Sequence, residues 1–241
     1  MDDHQLAAET ARRAGDLLLE LRADGGDGAA GDRKADDLIL SMLRDARPDD
    51  AILSEESKDD PARLAAERVW IVDPLDGTRE FGEAGRTDWA VHVALVAGGE
   101  PVAAAVALPA QGLVLSTAAP PALAPPSGGP VRVLVSRTRP PALATRLAEL
   151  LDAELVPMGS AGAKTMAVVL GQADVYAHGG GQYEWDSAAP VGVAKAAGCH
   201  CSRLDGAPLR YNQQADPYLP DLLVCRPELA DRVLAAVRQA V

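Results

Sequence analysis

Carboxylates spaced for chemistry occur in two neighbouring motifs, Leu53–Glu56 and Trp70–Thr78. The second motif reads as a buried strand that ends in two acids, Asp73 and Asp76, followed by a Gly-Thr turn. Acids three residues apart at a strand end are poor packing material but good ligands for hard cations. Gly77 lets the backbone approach an anion closely, and the threonine after it adds a hydroxyl. A metal cluster beside an anion-binding turn predicts metal-assisted phosphate chemistry.

An Asp-Pro turn with an Asp-Gly end is also common in ordinary loops, so this motif alone leaves a loop and a metal site equally open. Two features favour the metal site. Pro74 fixes the backbone, so that Asp73, Asp76 and the Leu75 carbonyl could face one point. Glu55 ends an adjacent strand, and sequential strands usually lie side by side. We therefore expect these ligands to form one cluster.

Three further polar segments stand at predicted element ends. Asp186 begins a helix, where it can cap free N–H groups, bind a metal, or do both if the helix points into the site. Gly159–Lys164 opens another helix and is either a flexible cap with a surface lysine or an anion cradle in which Ser160 and Lys164 contact phosphate. Arg137 follows a strand and is either a solvated loop residue or a cation for the substrate.

Asp32 lies just before the second predicted helix. One interpretation is an N-cap or a surface acid. In the other, Asp32 holds the Thr78 hydroxyl so that Thr78 can accept a proton from a water molecule.

Composition favours a globular protein of a reducing compartment. Of the 241 residues 48% are hydrophobic, and a net charge of −12 disfavours non-specific binding to nucleic acid. Three cysteines are too few, and odd in number, for a disulfide framework. The fragment Cys199–Cys201 lacks a second pair at zinc-like spacing and reads as structural. The N-terminus does not resemble a signal peptide and no apolar run is long enough to span a membrane, so we expect a cytoplasmic protein.

The pattern of elements divides the chain into an α+β half, residues 1–127, and an α/β half, residues 128–241. The boundary falls in residues 119–130, which contain five prolines and a Gly-Gly pair and are predicted to be irregular. Predicted helices cover 6–21, 32–43, 140–151, 161–170, 186–197 and 228–240, with Leu38, Ile39, Met42 and Leu43 of the second pointing inward. Predicted strands cover 51–53, 69–72, 89–96, 102–108, 113–116, 131–135, 154–156, 173–177 and 222–225.

Together, the motifs at 54–56, 73–78 and 185–186 resemble those of the lithium-sensitive, magnesium-dependent phosphomonoesterase superfamily. This superfamily includes inositol monophosphatases, fructose-1,6-bisphosphatases and 3′-phosphoadenosine 5′-phosphate phosphatases. The resemblance runs from Asp32 to the C-terminal helix, and the ordered set of motifs is highly specific.

Within this superfamily the chain looks most like the CysQ-type 3′-phosphoadenosine 5′-phosphate phosphatases. Arg79-Glu80 follows the Gly-Thr turn, where that branch has a basic residue and then Glu, and 135–137 and 159–164 also match the branch. Inositol monophosphatases place a carboxylate shortly before their Trp-Asp motif to grip ring hydroxyls, and the corresponding stretch Ala177–Gly179 has no acid.

The resemblance implies a layered αβαβα sandwich with the site between the two halves. Two or three Mg²⁺ ions would be held by Glu55, Asp73, Asp76, Asp186 and the Leu75 carbonyl. A water on one ion, activated with help from Thr78, Asp32 and Glu55, would attack phosphorus in line, without a covalent enzyme intermediate. The substrate would contact Glu55, Leu75, Asp76, Gly77, Thr78, Arg137, Ser160, Lys164 and Asp186. The implied reaction is removal of the 3′-phosphate of 3′-phosphoadenosine 5′-phosphate, inhibited by Li⁺, in a possible homodimer without nucleic-acid or membrane partners.

Three rival interpretations differ in class or substrate. A haloacid-dehalogenase-type phosphatase also uses Asp and Gly-Thr, but its two acids are separated by one residue, whereas Pro74 and Leu75 both intervene here. A non-catalytic phosphate or nucleotide sensor on this fold is disfavoured because every expected metal-ligand position is filled. Inositol-1-phosphatase or fructose-1,6-bisphosphatase activity is the alternative within the enzyme class.

Overall fold

The computed structural model describes residues 1–126, 128–138 and 140–240. In chain order the elements are α1 (Asp3–Ala23), α2 (Gly28–Ala46), β1 (Ala51–Ser54), β2 (Arg68–Asp76), α3 (Thr78–Gly82), β3 (Ala90–Ala97), β4 (Glu100–Leu108), β5 (Leu113–Ser116), β6 (Arg132–Ser136), α4 (Ala142–Leu151), β7 (Glu154–Met158), α5 (Ala161–Val169), β8 (Val175–His178), β9 (Gln182–Tyr183), α6 (Glu184–Ala196), β10 (His200–Ser202), β11 (Tyr218–Leu219), β12 (Leu222–Cys225) and α7 (Ala230–Ala240). Short 3-10 helices cover Pro61–Ala65, Pro109–Gln111 and Pro227–Leu229.

Two five-stranded sheets form the framework, with strand orders β1-β2-β3-β4-β5 and β10-β12-β8-β6-β7. In the first sheet β1 and β2 are parallel and the remaining pairs are antiparallel. In the second, β6 is parallel to β7 and β8, while β12 is antiparallel to β8 and β10. The predicted α+β first half and α/β second half therefore each contribute one sheet.

Helices cover both sheets in five layers. One face of the first sheet packs against α1 and α2, through alternate β3 residues such as Val91 and Val93. Its other face packs on α5 and α6, which also contact the second sheet, so that one apolar core spans both sheets. Helices α4 and α7 cover the outer face of the second sheet. The predicted αβαβα sandwich is confirmed.

The second helix begins earlier than the sequence predicts, because Asp27 caps it by accepting a hydrogen bond from Ala30 N. Asp32 therefore lies inside α2 and is buried, so the N-cap and surface-acid interpretations of Asp32 are wrong. Leu40 is buried on this helix, whereas Leu38 and Met42 are only partly buried. Gly28 and Gly31 join the helix because packing outweighs their low helix propensity.

Two other boundaries differ at the site. Strand β2 continues through Asp76, with a register irregularity against β3 between Asp73 and Asp76, so the acids lie within the strand and not beyond it. Helix α6 begins at Glu184, and Asp186 in its first turn accepts a hydrogen bond from Tyr183 N, 2.7 Å away. Asp186 is therefore not the N-cap residue. It lies in the first turn, and its carboxylate accepts the N–H of the N-cap residue, Tyr183.

Three short strands, β9, β10 and β11, were not predicted, because two- or three-residue strands carry no readable alternation. The described residues of 119–130 contain no helix or strand, as expected, and only Ala119 bridges to Ser116. Ser127, at the predicted boundary between the halves, lies outside the described residues, as does Val241. Across the described ranges, no helix is both long and apolar enough to cross a membrane.

Candidate active site

Four carboxylates meet at the ends of β1 and β2 and the first turn of α6. The register of β1 on β2 pairs Ser54 with Val72, which places Glu55 beside Asp73. Asp186 comes from α6 in the second half. Desolvation and the charges of Asp186, Asp76 and Asp32 together raise the pKa of Glu55 to about 7, although Glu55 itself remains exposed. The structure thus brings together the four acids that the sequence predicts as one cluster.

Asp76 is held by donors from the second half. Its Oδ2 accepts hydrogen bonds from Ser160 Oγ at 2.5 Å and from Gly162 N at 2.7 Å, and lies 3.3 Å from His92 Nε2. Burial opposes ionisation, but His92, Ser160 and Gly162 together lower the pKa of Asp76 to about 2. Asp76 is therefore ionised, and only one of its oxygens is committed to these donors.

Asp73 has the opposite environment. It is 1% exposed, and its Oδ1 accepts a hydrogen bond from the backbone of Leu75 at 3.1 Å. Burial, followed by the charges of Glu55, Asp76 and Asp186, raises its pKa well above the usual range. Burial likewise raises the pKa of Asp186 to about 6, with Asp76 adding to the shift. His92 and Lys164 oppose the shift of Asp186 only in part, and His92 Nδ1 lies 3.8 Å from Asp73 Oδ2.

The Thr78 hydroxyl lies between two acceptors. Its Oγ1 is 3.2 Å from Asp32 Oδ2 and 3.2 Å from the Leu75 carbonyl oxygen. The predicted contact between Asp32 and Thr78 is therefore confirmed, although Asp32 approaches from inside α2. Burial, with the charge of Glu56 added, raises the pKa of Asp32 to about 7.

Gly77 joins β2 to α3 with φ of +92°, in the left-handed region that favours glycine. A Cβ there would lie 3.2–3.3 Å from Ser160, the Asp88 carbonyl and Trp89. Only glycine therefore fits this turn without strain, and the turn brings Thr78 beside the acids.

The segment 159–164 forms a cradle at the start of α5, but the anion that its donors contact is Asp76 itself. Lys164 is 7% exposed, so the interpretation of a surface lysine is wrong. Its Nζ lies 3.4 Å from the Gly159 carbonyl oxygen and 5.1 Å from the centre of the Tyr176 ring. Burial lowers the pKa of Lys164.

Arg137 is not a free loop cation. Its guanidinium donates to Glu80 Oε1 at 2.9 Å and to Glu83 Oε1 at 2.7 Å. Glu80 and Glu83 hold the pKa of this guanidinium above its usual range, and any anion contacting Arg137 competes with them.

Five of the predicted substrate contacts share one cavity of about 500 Å³. Its lining includes Gly77, Thr78, Arg137, Ser160 and Lys164. Glu55, Asp73 and Asp186 do not line this cavity, which lies beside the acids and is large enough for a group attached to a reacting phosphate.

His92 is a buried site residue that the sequence reasoning missed. Its atoms lie close enough to those of Asp73 and Asp76 for the three to be considered as a metal-binding group. The signal was available, because His92 interrupts an otherwise apolar strand and pairs across the sheet with Asp73. The contacts of its two ring nitrogens argue against direct ligation.

A divalent cation fits the acid cluster. The donors are carboxylate oxygens and a backbone carbonyl, the set that suits Mg²⁺ or Mn²⁺. The raised pKa values of Asp73, Glu55 and Asp186 reflect crowded carboxylates that His92 and Lys164 compensate only in part, and a bound cation would supply further positive charge.

The family model for the inositol monophosphatase family matches residues 10–120 and 130–241. The chain belongs to the inositol monophosphatase family. A 3′-phosphoadenosine 5′-phosphate phosphatase of Mycobacterium leprae is 55% identical over 257 residues, covering 99% of this chain and 94% of that protein. A protein of the same name from Mycobacterium tuberculosis is 56% identical over 241 residues, covering 94% and 90%. The Escherichia coli K12 3′(2′),5′-bisphosphate nucleotidase CysQ is 32% identical over 228 residues, covering 84% and 91%.

Solved structures of this family share the fold. CysQ from Bacteroides thetaiotaomicron superposes with a TM-score of 0.78 at 27% identity, covering 93% of this chain and 97% of that one. The inositol monophosphate-bound SaIMPase-II gives a TM-score of 0.81 at 20% identity, covering 98% and 93%. The second likeness shows the fold alone.

Proposed function

We propose that this chain is a magnesium-dependent phosphoric monoester hydrolase that converts 3′-phosphoadenosine 5′-phosphate into AMP and phosphate. The observation that carries the reaction class is the cluster of Glu55, Asp73, Asp76 and Asp186 beside a cavity lined by Gly77 and Thr78. The substrate is supported by two mycobacterial relatives, 55% and 56% identical over nearly the whole chain, that carry the name of this phosphatase.

The metal ligands are proposed to be the four acids and the Leu75 carbonyl, with two or three Mg²⁺ ions. When bound, these ions supply Lewis-acid chemistry, which lowers the pKa of a water molecule and stabilises charge on the leaving oxygen. Asp76 is preorganised as a ligand, because hydrogen bonds from Ser160 and Gly162 hold its ionised carboxylate in place.

Thr78 and Asp32 are proposed to receive the proton of the attacking water. If Thr78 donates its own hydroxyl hydrogen to Asp32, 3.2 Å away, a lone pair on Oγ1 remains open to accept that proton. Glu55 flanks the same acids and assists as a further base. Backbone N–H groups of the turn at Gly77 and Thr78 would hold oxygens of the reacting phosphate.

The second phosphate of a nucleotide bisphosphate needs a cation outside the metal cluster. Lys164 and Arg137 remain our candidates, and both line the cavity. Arg137 would exchange Glu80 and Glu83 for the phosphate. Arg79 also lines the cavity, and among the described residues it has no hydrogen-bonded or ion-paired partner, so it could engage the phosphate without such an exchange.

Phosphate release from a panel of substrates with Mg²⁺ tests the proposed reaction. The panel contains 3′-phosphoadenosine 5′-phosphate, 3′-AMP, inositol 1-phosphate and fructose 1,6-bisphosphate, with a chelator as the negative control. We expect the nucleotide bisphosphate to have the highest kcat/KM. Preference for inositol 1-phosphate would overturn the substrate, and no magnesium-dependent release from any member would favour the non-catalytic sensor.

Comparing the bisphosphate with 3′-AMP tests the second-phosphate contact. A charge-assisted contact is worth about 1.5–3 kcal/mol, so Lys164→Ala and Arg79→Gln should each lower kcat/KM for the bisphosphate by about 10- to 100-fold. The reaction with 3′-AMP, which lacks that phosphate, should hardly change. Equal losses on both substrates would assign the residue to the reacting phosphate or to the fold. Arg44→Gln, an exposed cation outside the cavity, is the matched control.

The division of labour between the halves remains a proposal, with Glu55, Asp73 and Asp76 in residues 1–127 and Asp186 in residues 128–241. The homodimer also remains a prediction, which sedimentation equilibrium would check.

A further inference from the structure

His92 lies on β3 with its side chain 0% exposed. It is directly opposite Asp73 in the antiparallel ladder, and it occupies the face of the strand whose neighbours Ala90 and Ala94 pack in the core under α6. A polar side chain at such a position must satisfy its nitrogens locally, so its partners indicate what it does.

The first partner is the backbone of α6. His92 Nδ1 lies 3.0 Å from the Trp185 carbonyl oxygen, which can only accept. Nδ1 therefore carries a hydrogen and donates it. Trp185 immediately precedes Asp186, so this bond fixes the backbone of the turn that presents Asp186 to the other acids.

The second ring nitrogen faces the start of α5. A Cβ added to Gly162 would lie 2.0 Å from Nε2 and 2.9–3.0 Å from the two ring carbons beside it, so Gly162 occupies the outward axis of Nε2. Asp76 Oδ2 lies to the side at 3.3 Å, and Nε2 makes no well-aligned hydrogen bond to a described residue. With Nδ1 donating and Nε2 covered, neither nitrogen is placed to bind a metal.

We propose that His92 is a positioning residue that sets Asp186 against Asp76 through its contacts with the first turns of α6 and α5. It connects three elements at one point, since β3 carries the ring, α6 accepts its hydrogen bond and Gly162 of α5 packs on its edge. The inference rests on the proposed metal site, because its consequence is the spacing of two proposed ligands. Groups that hydrogen-bond a metal ligand directly typically contribute about 10- to 100-fold to metal affinity, and His92 acts on the peptide next to Asp186.

Asparagine and leucine at position 92 separate the hydrogen bond from packing. Both side chains branch at Cγ and have nearly the same shape, so both leave a similar space where the outer ring was. The asparagine amide can occupy the place of Nδ1 and donate to the Trp185 carbonyl, whereas leucine cannot. The pair His92→Asn and His92→Leu therefore differs in the proposed contact.

The measurement is Mn²⁺ binding without substrate, read from the EPR signal of the free ion, together with circular dichroism in chelator. We expect His92→Leu to bind Mn²⁺ at least tenfold more weakly than His92→Asn, with both variants folded. Kinetics should show a matching rise in the Mg²⁺ concentration for half-maximal rate.

Equal Mn²⁺ affinity in the two variants would overturn the role of the hydrogen bond. His92→Gln is the third variant, since its longer side chain cannot place a donor where Nδ1 lies, and it should resemble leucine. If none of the three variants folds, His92 is a core residue and the proposal is wrong. If the unaltered protein itself fails to bind Mn²⁺, the proposed metal site fails instead, so the two failures are distinguishable.

Discussion

Asp73 and Asp76 are three residues apart on one strand, yet their surroundings are opposite. His92 and two hydrogen bonds from the second half hold the pKa of Asp76 low, whereas burial and four neighbouring carboxylates raise the pKa of Asp73. The same change, Asp to Asn, should therefore act on the metal-free fold with opposite signs at the two positions.

In chelator, Asp73→Asn should raise the free energy of unfolding by about 1 kcal/mol, or about 2–4 °C in Tm, because it removes a crowded buried charge. Asp76→Asn should lower it by about 1–3 kcal/mol, because charge-assisted hydrogen bonds are lost. Both variants should lose turnover with Mg²⁺. Urea unfolding and phosphate release measure the two effects, with the exposed Asp45→Asn as the control. Stabilisation by both variants, or substantial activity in both, would contradict this assignment of Asp76 or of the metal site.

Residue types and spacing were enough to predict the acid cluster, because the motifs carry Glu55, Asp73, Asp76 and Asp186 in readable contexts. They were not enough for His92, whose role depends on which helix covers its strand. Nor could they show that Arg137 is paired with Glu80 and Glu83, since long side chains choose partners only in three dimensions. The boundary of α2 failed for a related reason, because tertiary packing overrides the helix propensity of glycine.

At the scale of elements, the start of α5 makes hydrogen bonds from the second half of the chain to the first. The backbone N–H of Gly162 and the Ser160 hydroxyl both donate to the Asp76 carboxylate on β2. The positive end of the α5 dipole therefore lies against Asp76. Gly162 is required for this approach, since any Cβ would overlap His92. Glycine here sets the distance between α5 and β3.

Gly162→Ala should therefore destabilise the protein, although alanine normally favours a helix by about 0.5–1 kcal/mol over glycine. The Cβ would lie 2.0 Å from His92 Nε2, and overpacking of this kind costs about 1–3 kcal/mol. Chemical unfolding in chelator checks the sign, and Mn²⁺ affinity should fall with it. Gly82→Ala is the control, because nothing lies within 4 Å of the Cβ it would add. A stabilised Gly162→Ala variant would show that β3 and α5 can separate without cost.

At the scale of the molecule, a second contact region holds the halves in register away from the acids. Arg63 is 1% exposed and donates to Asp59, to Asn212 Oδ1 at 2.7 Å and to the Ala215 carbonyl. Asn212 N in turn donates to Glu184 Oε2 at 2.7 Å, in the first turn of α6. The helix that carries Asp186 is thus fixed from two sides, by His92 and by the Arg63 region.

Repulsion between the acids of the site makes the stability of the metal-free protein depend on pH. Burial and neighbouring acids raise the pKa values of Asp32 and Glu55 to about 7 and that of Asp186 to about 6, against about 4 in an unfolded chain. Between pH 4 and 7 the folded state therefore binds more protons than the unfolded state, and its stability falls as the pH rises. Asp76, with a pKa of about 2, is ionised in the folded protein over this range and opposes the slope only near pH 4, where the unfolded acid still binds protons.

In chelator, Tm should fall steadily between pH 5.5 and 7.5, whereas saturating Mg²⁺ should flatten this slope because the cation replaces the protons. Differential scanning calorimetry at several pH values, with and without Mg²⁺, measures both curves. Glu55→Gln should reduce the slope in chelator, since glutamine does not titrate, while Glu67→Gln, an exposed acid outside the cluster, should leave it unchanged. A chelator curve that is flat or rises over this range would mean that the acids are not crowded in the metal-free protein. The cation would then bind without relieving repulsion between the two halves.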